Sequence, residues 1–249
     1  MTPDHITRNI ETAEALLAQR GLTLHTGTCF EEFKRLSKRQ ASRPPVNPSF
    51  DVDAPEGQSI DGFWLAGYNA QDELVHSQAI KYVDLGGNSL HDHLCEGGDQ
   101  YRIAGYDLDM SRAQVTLTEE ARGINGRFAY HGELWSQSGQ GGLRGDGTLP
   151  LLSRIMLLKT LAHGAPEHIL GFISPTNACR GLAARLGYVH LEQRSVVYPR
   201  VGSDETLEGW MVWMTGQEAA FNLRIEPEFF ARMFKPLEED VAAEKRLVA

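Results

Sequence analysis

The residues best placed to do chemistry begin at Glu133, where Glu-Leu-Trp-Ser-Gln-Ser-Gly-Gln-Gly-Gly-Leu-Arg-Gly-Asp-Gly147 runs into Thr-Leu-Pro-Leu-Leu-Ser-Arg-Ile-Met-Leu-Leu-Lys159. A strand-like segment enters a turn with five glycines from Gly139 to Gly147 and leaves as an apolar helix. Glycines let backbone approach a ligand closely, and the free N–H groups of a helix start attract anions, so this pattern predicts a site for a phosphorylated cofactor. It is neither a nucleotide loop with a Gly-Lys-Ser/Thr end nor a Gly-x-Gly-x-x-Gly opening a βαβ unit, which argues against ATP and NAD. Taken alone, Glu133 reads as a solvent-facing or salt-bridged strand residue.

Arg144-Gly145-Asp146-Gly147 resembles the Arg/Gln-x-x-Gly-x-Gly/Ala loop of the GNAT superfamily of N-acetyltransferases. A second segment follows in the matching order, Ile169-Leu-Gly-Phe-Ile-Ser-Pro-Thr-Asn-Ala-Cys-Arg-Gly-Leu-Ala-Ala-Arg-Leu-Gly-Tyr188. Ile169 to Ser174 reads as a buried strand, Thr176 or Asn177 as an N-cap, and Ala178 to Leu186 as a helix ended by Gly187 at C′, with Tyr188 starting the next strand. The resemblance covers roughly residues 128–215.

The resemblance implies an α/β (α+β) fold: a mixed, mostly antiparallel sheet of six to seven strands flanked by helices, with a V-shaped splay between two central strands. It implies acetyl-CoA, or coenzyme A, held by Arg144, Gly145, Asp146, Gly147, Thr148 and Asn177, its pantetheine arm lying between the strand Phe128–Ser136 and the strand at Ile169. Amides around Leu134 and Trp135 would polarise the thioester carbonyl. The implied activity is acyl transfer to the primary amine of a small molecule by direct attack in a ternary complex, with Glu133 and Tyr188 as catalytic candidates; a homodimer is compatible with it. Three positions depart from the family pattern. Leu149 replaces the last small residue of the loop, Asp146 puts a carboxylate among the phosphate ligands, and Ala183 stands where a tyrosine often serves as general acid. Tyr188 or His190 could replace that acid. The same departures fit the alternative, a non-catalytic GNAT-like domain acting as a CoA-binding sensor or interaction module.

Other reactive side chains read as ordinary. His91, His93 and Cys95 would share one face of a strand, but no fourth ligand is nearby and Gly97-Gly98 suggests a loop, so no metal is expected. Cys179 reads as a small core residue on the inward side of a short helix. Leu151, Ile155, Leu158 and Ala162 lie at helical spacing and read as core. The four tryptophans, Trp64, Trp135, Trp210 and Trp213, are expected as buried sheet residues.

The elements that must position these groups are marked by periodicity and punctuation. Asp4 to Arg20 predicts an amphipathic helix ended by Gly21, Leu22 to Thr26 a strand, and Phe30 to Gln40 a second helix. Four prolines between Pro44 and Pro55 predict a surface loop, and Phe63–Tyr68 with Leu74–Val83 a hairpin through Asn69-Ala-Gln-Asp72. Residues 84–126 read as an insertion, with a strand within Tyr101–Asp109; Arg194–Tyr198 and Trp210–Thr215 are final strands, and Pro227–Leu247 a broken helical tail. The organisation expected is one domain, with its core at 22–83 and 127–215 and a tail at 216–249.

With 249 residues, 41% hydrophobic and 23% charged, the chain can bury a substantial core. A formal net charge of −9 argues against nucleic acid or an anionic membrane as partner. Three cysteines without Cys-x-x-Cys spacing predict a reducing compartment, and no apolar signal region or ~20-residue apolar span predicts a cytoplasmic protein without membrane insertion.

Overall fold

The computed structural model describes residues 1–40, 42–54, 60–137, 143 and 147–229. Helix α1 (Pro3–Ala18) starts where Thr2 Oγ1 accepts the N–H of His5, and buries Ala13 and Leu17. Strand β1 (Thr23–Gly27) and helix α2 (Phe30–Lys38) follow. The hairpin β2 (Gly62–Tyr68) and β3 (Leu74–Asp84) turns through Asn69, whose side-chain oxygen accepts the N–H groups of Gln71 and Glu73. The segment before the next long strand carries α3 (Leu90–Gly97), β4 (Gln114–Val115) and α4 (Glu119–Arg122). Then come β5 (Arg127–Ser136), α5 (Thr148–Gly164), β6 (His168–Ile173), α6 (Pro175–Cys179), α7 (Leu182–Leu186), β7 (His190–Pro199), β8 (Thr206–Thr215) and α8 (Gly216–Asn222).

The result is a mixed α+β fold with one eight-stranded sheet, ordered β1-β2-β3-β5-β6-β8-β7-β4. Every pairing is antiparallel except that of β5 with β6. The eighth strand is β4, which reaches the outer edge of β7. On one face α1 and α5 enclose Leu17, Leu65, Ile80, Leu151, Ile155, Ile169 and Met214. On the other, α2 and the 42–54 and 85–126 segments enclose Phe33, Phe50, Trp64, Leu90, Phe128 and Trp213. Helix α5 is apolar nearly all round and buried along its length, as a helix between a sheet and α1 must be.

Several expectations are corrected. Tyr101–Asp109 is no strand: Tyr101 ends a 3₁₀ turn, and only Leu108 makes a bridge, to Arg200. His91–Cys95 lies in α3, begun by Ser89, whose hydroxyl accepts the N–H of Asp92. Helix pitch leaves Cys95 beside His91 and turns His93 inward onto the Tyr101 hydroxyl, 2.8 Å away. Ser174, and neither Thr176 nor Asn177, caps the helix after β6, and Gly181 at φ 72° breaks that helix in two. The break leaves Cys179 exposed, against its expected core position. Ala162 is exposed, and the strand after Gly187 begins at His190, two residues beyond Tyr188. The proline segment does not merely cover the surface, because Val46, Ser49 and Phe50 are buried. Trp64 and Trp213 are core, whereas Trp135 and Trp210 are only partly covered. No helix among the described residues is long and apolar enough to cross a membrane.

Candidate functional site

The parallel pair β5–β6 is short, holding register only from Phe128↔His168 to Tyr130↔Leu170, after which the strands part. At the root of the gap a Cβ on Gly171 would lie 2.5 Å from the His131 carbonyl oxygen and 3.8 Å from the Tyr188 hydroxyl, so a side chain at 171 would fill the notch. Above it opens a cleft of about 680 Å³, within the range of small-molecule sites.

A bulge in β5 determines what faces this cleft. Gln78 of β3 stands opposite both Glu133 and Leu134, the register resuming at Ser77↔Trp135, and Glu133 takes up the extra residue at φ 57°. That conformation is costly for a residue with a Cβ and persists where its surroundings fix it. The parity of the strand therefore changes: Tyr130 and Trp135 join the core on the α2 side, while Ala129 and Leu134 join that on the α5 side.

On the α2 side, Glu133 accepts from the Arg43 guanidinium at 2.5 Å and from the Asn47 N–H at 2.8 Å. The side chains of this ion pair are 3% and 6% exposed. Burial raises the Glu133 carboxyl above its ordinary range, with Arg43 partly offsetting it, and burial likewise lowers Arg43. Pro44, Pro45, Tyr101, Tyr130 and Phe172 complete this wall, with the Tyr101 and Tyr130 rings edge to face at 4.8 Å.

On the α5 side, the Tyr188 hydroxyl lies 2.9 Å from His131 Nδ1, His131 Nε2 lies 3.0 Å from Gln78 Oε1, and Gln78 Nε2 donates to the Leu152 carbonyl at 2.8 Å. Burial pushes the Tyr188 hydroxyl far above its usual range and depresses His131 to about 4. Near them His76 is depressed to about 3, by burial first and then by His131 and Arg43; its Nδ1 meets Ser136 Oγ at 2.9 Å.

Of the residues expected to act, Glu133, Leu134, Trp135, Asn177 and Tyr188 all line the cleft. Asn177 sits in α6, its N–H donating to Ser174 Oγ. Gly147 and Thr148 form the start of α5, Gly147 capping it at φ 75° and Thr148 Oγ1 accepting from Arg20 at 3.2 Å. Arg144, Gly145 and Asp146 fall outside the described residues. Leu149 and Ala183 pack against the core. His131, Gln78 and Arg43 escape the reading of the sequence. His131 stands two residues from Glu133 and would share its face in a regular strand; only the bulge separates them. Its neighbours at Gln78 and Tyr188 are 53 and 57 residues away, beyond the reach of any local pattern. Among the described residues no group of side chains is arranged to hold a metal ion.

No family model matches the sequence, and no curated protein matches it. Solved structures similar to this one include a chimera of the Vibrio cholerae spermidine N-acetyltransferase, 11% identical, covering 81% of this chain and 99% of that one at a TM-score of 0.43. A dodecameric structure of the Vibrio cholerae enzyme is 10% identical, covering 80% and 96% at 0.42. An Acinetobacter baylyi ADP1 protein assigned as an acetyltransferase is 13% identical, covering 78% and 93% at 0.39.

Proposed function

We propose that this chain is an acyl-CoA-dependent N-acyltransferase, with acetyl-CoA as donor and the primary amine of a small molecule as acceptor. The observation that carries the reading is the cleft at the parting of β5 and β6, lined by residues from both faces of the sheet and bearing a titratable side chain on each wall. The bound thioester would supply an electrophilic carbonyl and a thiolate leaving group. Arg144, Gly145, Gly147 and Thr148 would hold its phosphates through backbone N–H groups at the α5 N-terminus, the Thr148 side chain being buried and engaged by Arg20, with Asn177 beside the arm. The amides of Leu134, in the bulge, and Trp135, just beyond it, are the candidates to stabilise the carbonyl oxygen. Two titratable groups on the cleft are candidates to receive the amine's proton, Glu133, whose carboxyl is made more basic by burial, and Tyr188, whose hydroxyl lies beside the notch at Gly171.

The acceptor wall suggests an amine with an apolar or aromatic body. Its rings are Tyr101, Tyr130, Trp135 and Phe172, and the charges of Arg43 and Glu133 already satisfy one another. A second reading, a CoA-binding sensor, draws on that same pairing, because Glu133 is engaged by Arg43 and Asn47. Calorimetric titration with CoA, run beside free-thiol release from acetyl-CoA on a panel of arylalkylamines, alkylamines and polyamines, separates the readings. Binding with thiol release on arylalkylamines supports the transferase; binding without release on any amine supports the sensor; failure to bind CoA rejects both.

A further inference from the structure

We infer that Tyr188 and His131 form a two-residue proton shuttle in which Tyr188 first accepts the amine's proton and then returns one to the leaving sulfur. Gln78 acts as the positioning residue that sets its direction. The inference rests on the acyltransferase reading above and assigns roles inside that site.

The direction follows from one anchored amide. The Leu152 carbonyl can only accept, so the Gln78 group facing it at 2.8 Å is the NH₂, and the Gln78 oxygen is left to face His131. That oxygen can only accept as well. His131 Nε2, 3.0 Å away, must therefore carry the imidazole proton. Burial depresses His131 to about 4, so at ordinary pH it holds a single proton, and with Nε2 protonated its Nδ1 is a bare lone pair. The Tyr188 hydroxyl at 2.9 Å must then donate to Nδ1, which leaves the lone pairs of its own oxygen for the notch beside Gly171. A tyrosine so held receives a proton before it can give one, the opposite of a simple acid.

The step balances. As the N–C bond forms, Tyr188 Oη takes the proton lost by the attacking nitrogen, and its own proton passes to His131 Nδ1. His131 is then a cation whose Nε2–H still donates to Gln78. As the C–S bond breaks with its electron pair on sulfur, Tyr188 Oη gives a proton to the sulfur and His131 Nδ1 returns one to Tyr188. Both residues end as they began. The oxygen of Tyr188 never carries a full negative charge, and the cation on His131, which burial opposes equally, exists only between the two transfers.

Two measurements test the shuttle, one of them without turnover. ¹⁵N NMR of the protein labelled at histidine should show His131 protonated at Nε2 with Nδ1 as acceptor; a proton on Nδ1 overturns the inference. In thiol-release kinetics, Tyr188→Phe should lower kcat by about 10²–10⁴-fold with little change in KM. Gln78→Met should lower kcat as well and move the NMR signature toward the Nδ1 proton, while the double variant should lose no more than Tyr188→Phe alone. His131→Gln, which keeps an acceptor for Tyr188, should retain the fold, as judged by its thermal midpoint, and lose kcat. Wild-type kcat in Tyr188→Phe, or losses that multiply in the double variant, would overturn the shuttle while leaving the acyltransferase reading intact. Absence of thiol release from the wild type with every amine would overturn that reading and the shuttle with it.

Discussion

On the α5 wall of the cleft the buried polar groups are neutral: Tyr188, His131 and Gln78 form a chain ending on a helix carbonyl, each member donating once to the next. On the α2 wall the buried polar groups are ions, Arg43 and Glu133, closed on each other and on the Asn47 N–H. Apart from Tyr188, which sits in the turn between α7 and β7, the first wall is built from regular elements, and the second draws on the segments at 42–54 and 85–126 held against a strained strand residue. A neutral chain can sit in a packed core at little desolvation cost and accept a charge only transiently. An ion pair has lost its hydration permanently and fixes whatever it binds, here the approach of the proline segment to β5. The contrast suggests that the α5 wall is organised for moving protons and the α2 wall for holding shape.

The largest effect should come from leaving one ion unpaired. Arg43→Met strands Glu133 among apolar neighbours and should cost about 3–5 kcal/mol in denaturant unfolding. Arg43→Met with Glu133→Gln should recover most of that loss. If the single variant were no less stable than the double one, the pair would not be the fastener described here, and the contrast between the walls would fail.

Acid should attack the other wall. Burial lowers His131 from its ordinary 6.5 to about 4 and His76 to about 3, so above pH 6.5 folded and unfolded chains both hold them neutral. As pH falls below 6.5 the unfolded chain binds protons that the folded one refuses, until the folded values are reached. Stability should therefore fall steadily from pH 6.5 toward 4, by about 3 kcal/mol for His131 alone at about 1.36 kcal/mol per unit. Thermal midpoints across that window should drop less steeply in His131→Gln than in the wild type; equal slopes would mean that this wall tolerates charge after all.

The smallest effect sharpens the division of labour. Pro45 lies under Gly105, where an added Cβ would meet the proline ring at 3.5 Å, so it ties the two segments of the α2 wall together. Pro45→Gly should cost about 0.4–1 kcal/mol of stability through the unfolded chain. It should raise KM for the amine a few-fold and leave the calorimetric Kd for CoA unchanged. An equal loss of both affinities would show that the two walls are not separable. Exchanging the whole 44–55 segment for a flexible linker cannot serve as this test, because Phe50 is fully buried and its loss would report on folding.

Much of the framework is legible from punctuation: Gly21 and Gly187 end helices, Asn69 turns the hairpin, and the apolar run after Gly147 is α5. α3 was readable too, since Ser89-Leu-His-Asp92 has the form of a helix start; the alternation of His91, His93 and Cys95 masks it. The site is another matter. Glu133 adopts a left-handed conformation without being glycine, so nothing local announces the bulge, and without the bulge His131 and Glu133 would point the same way. Arg43 meets Glu133 across 90 residues, a pairing set by the packing of the proline segment and not by spacing.

The route of the chain between β3 and β5 also orders events in time. Those two strands are sheet neighbours, yet the segment joining them travels to the opposite edge, where Gln114 pairs with Val197 and Val115 with Val196. During synthesis β4 emerges long before the strand it must join, and closing so large a loop is slow. Tyr101, which hangs from the same segment, packs on Phe172 of β6 and accepts at its carbonyl from the Tyr198 hydroxyl of β7. Every residue named above on either wall therefore leaves the ribosome before the strand that fastens Tyr101 and β4. A translation product truncated ahead of β7 would hold the side chains of both walls with nothing to fasten one of them.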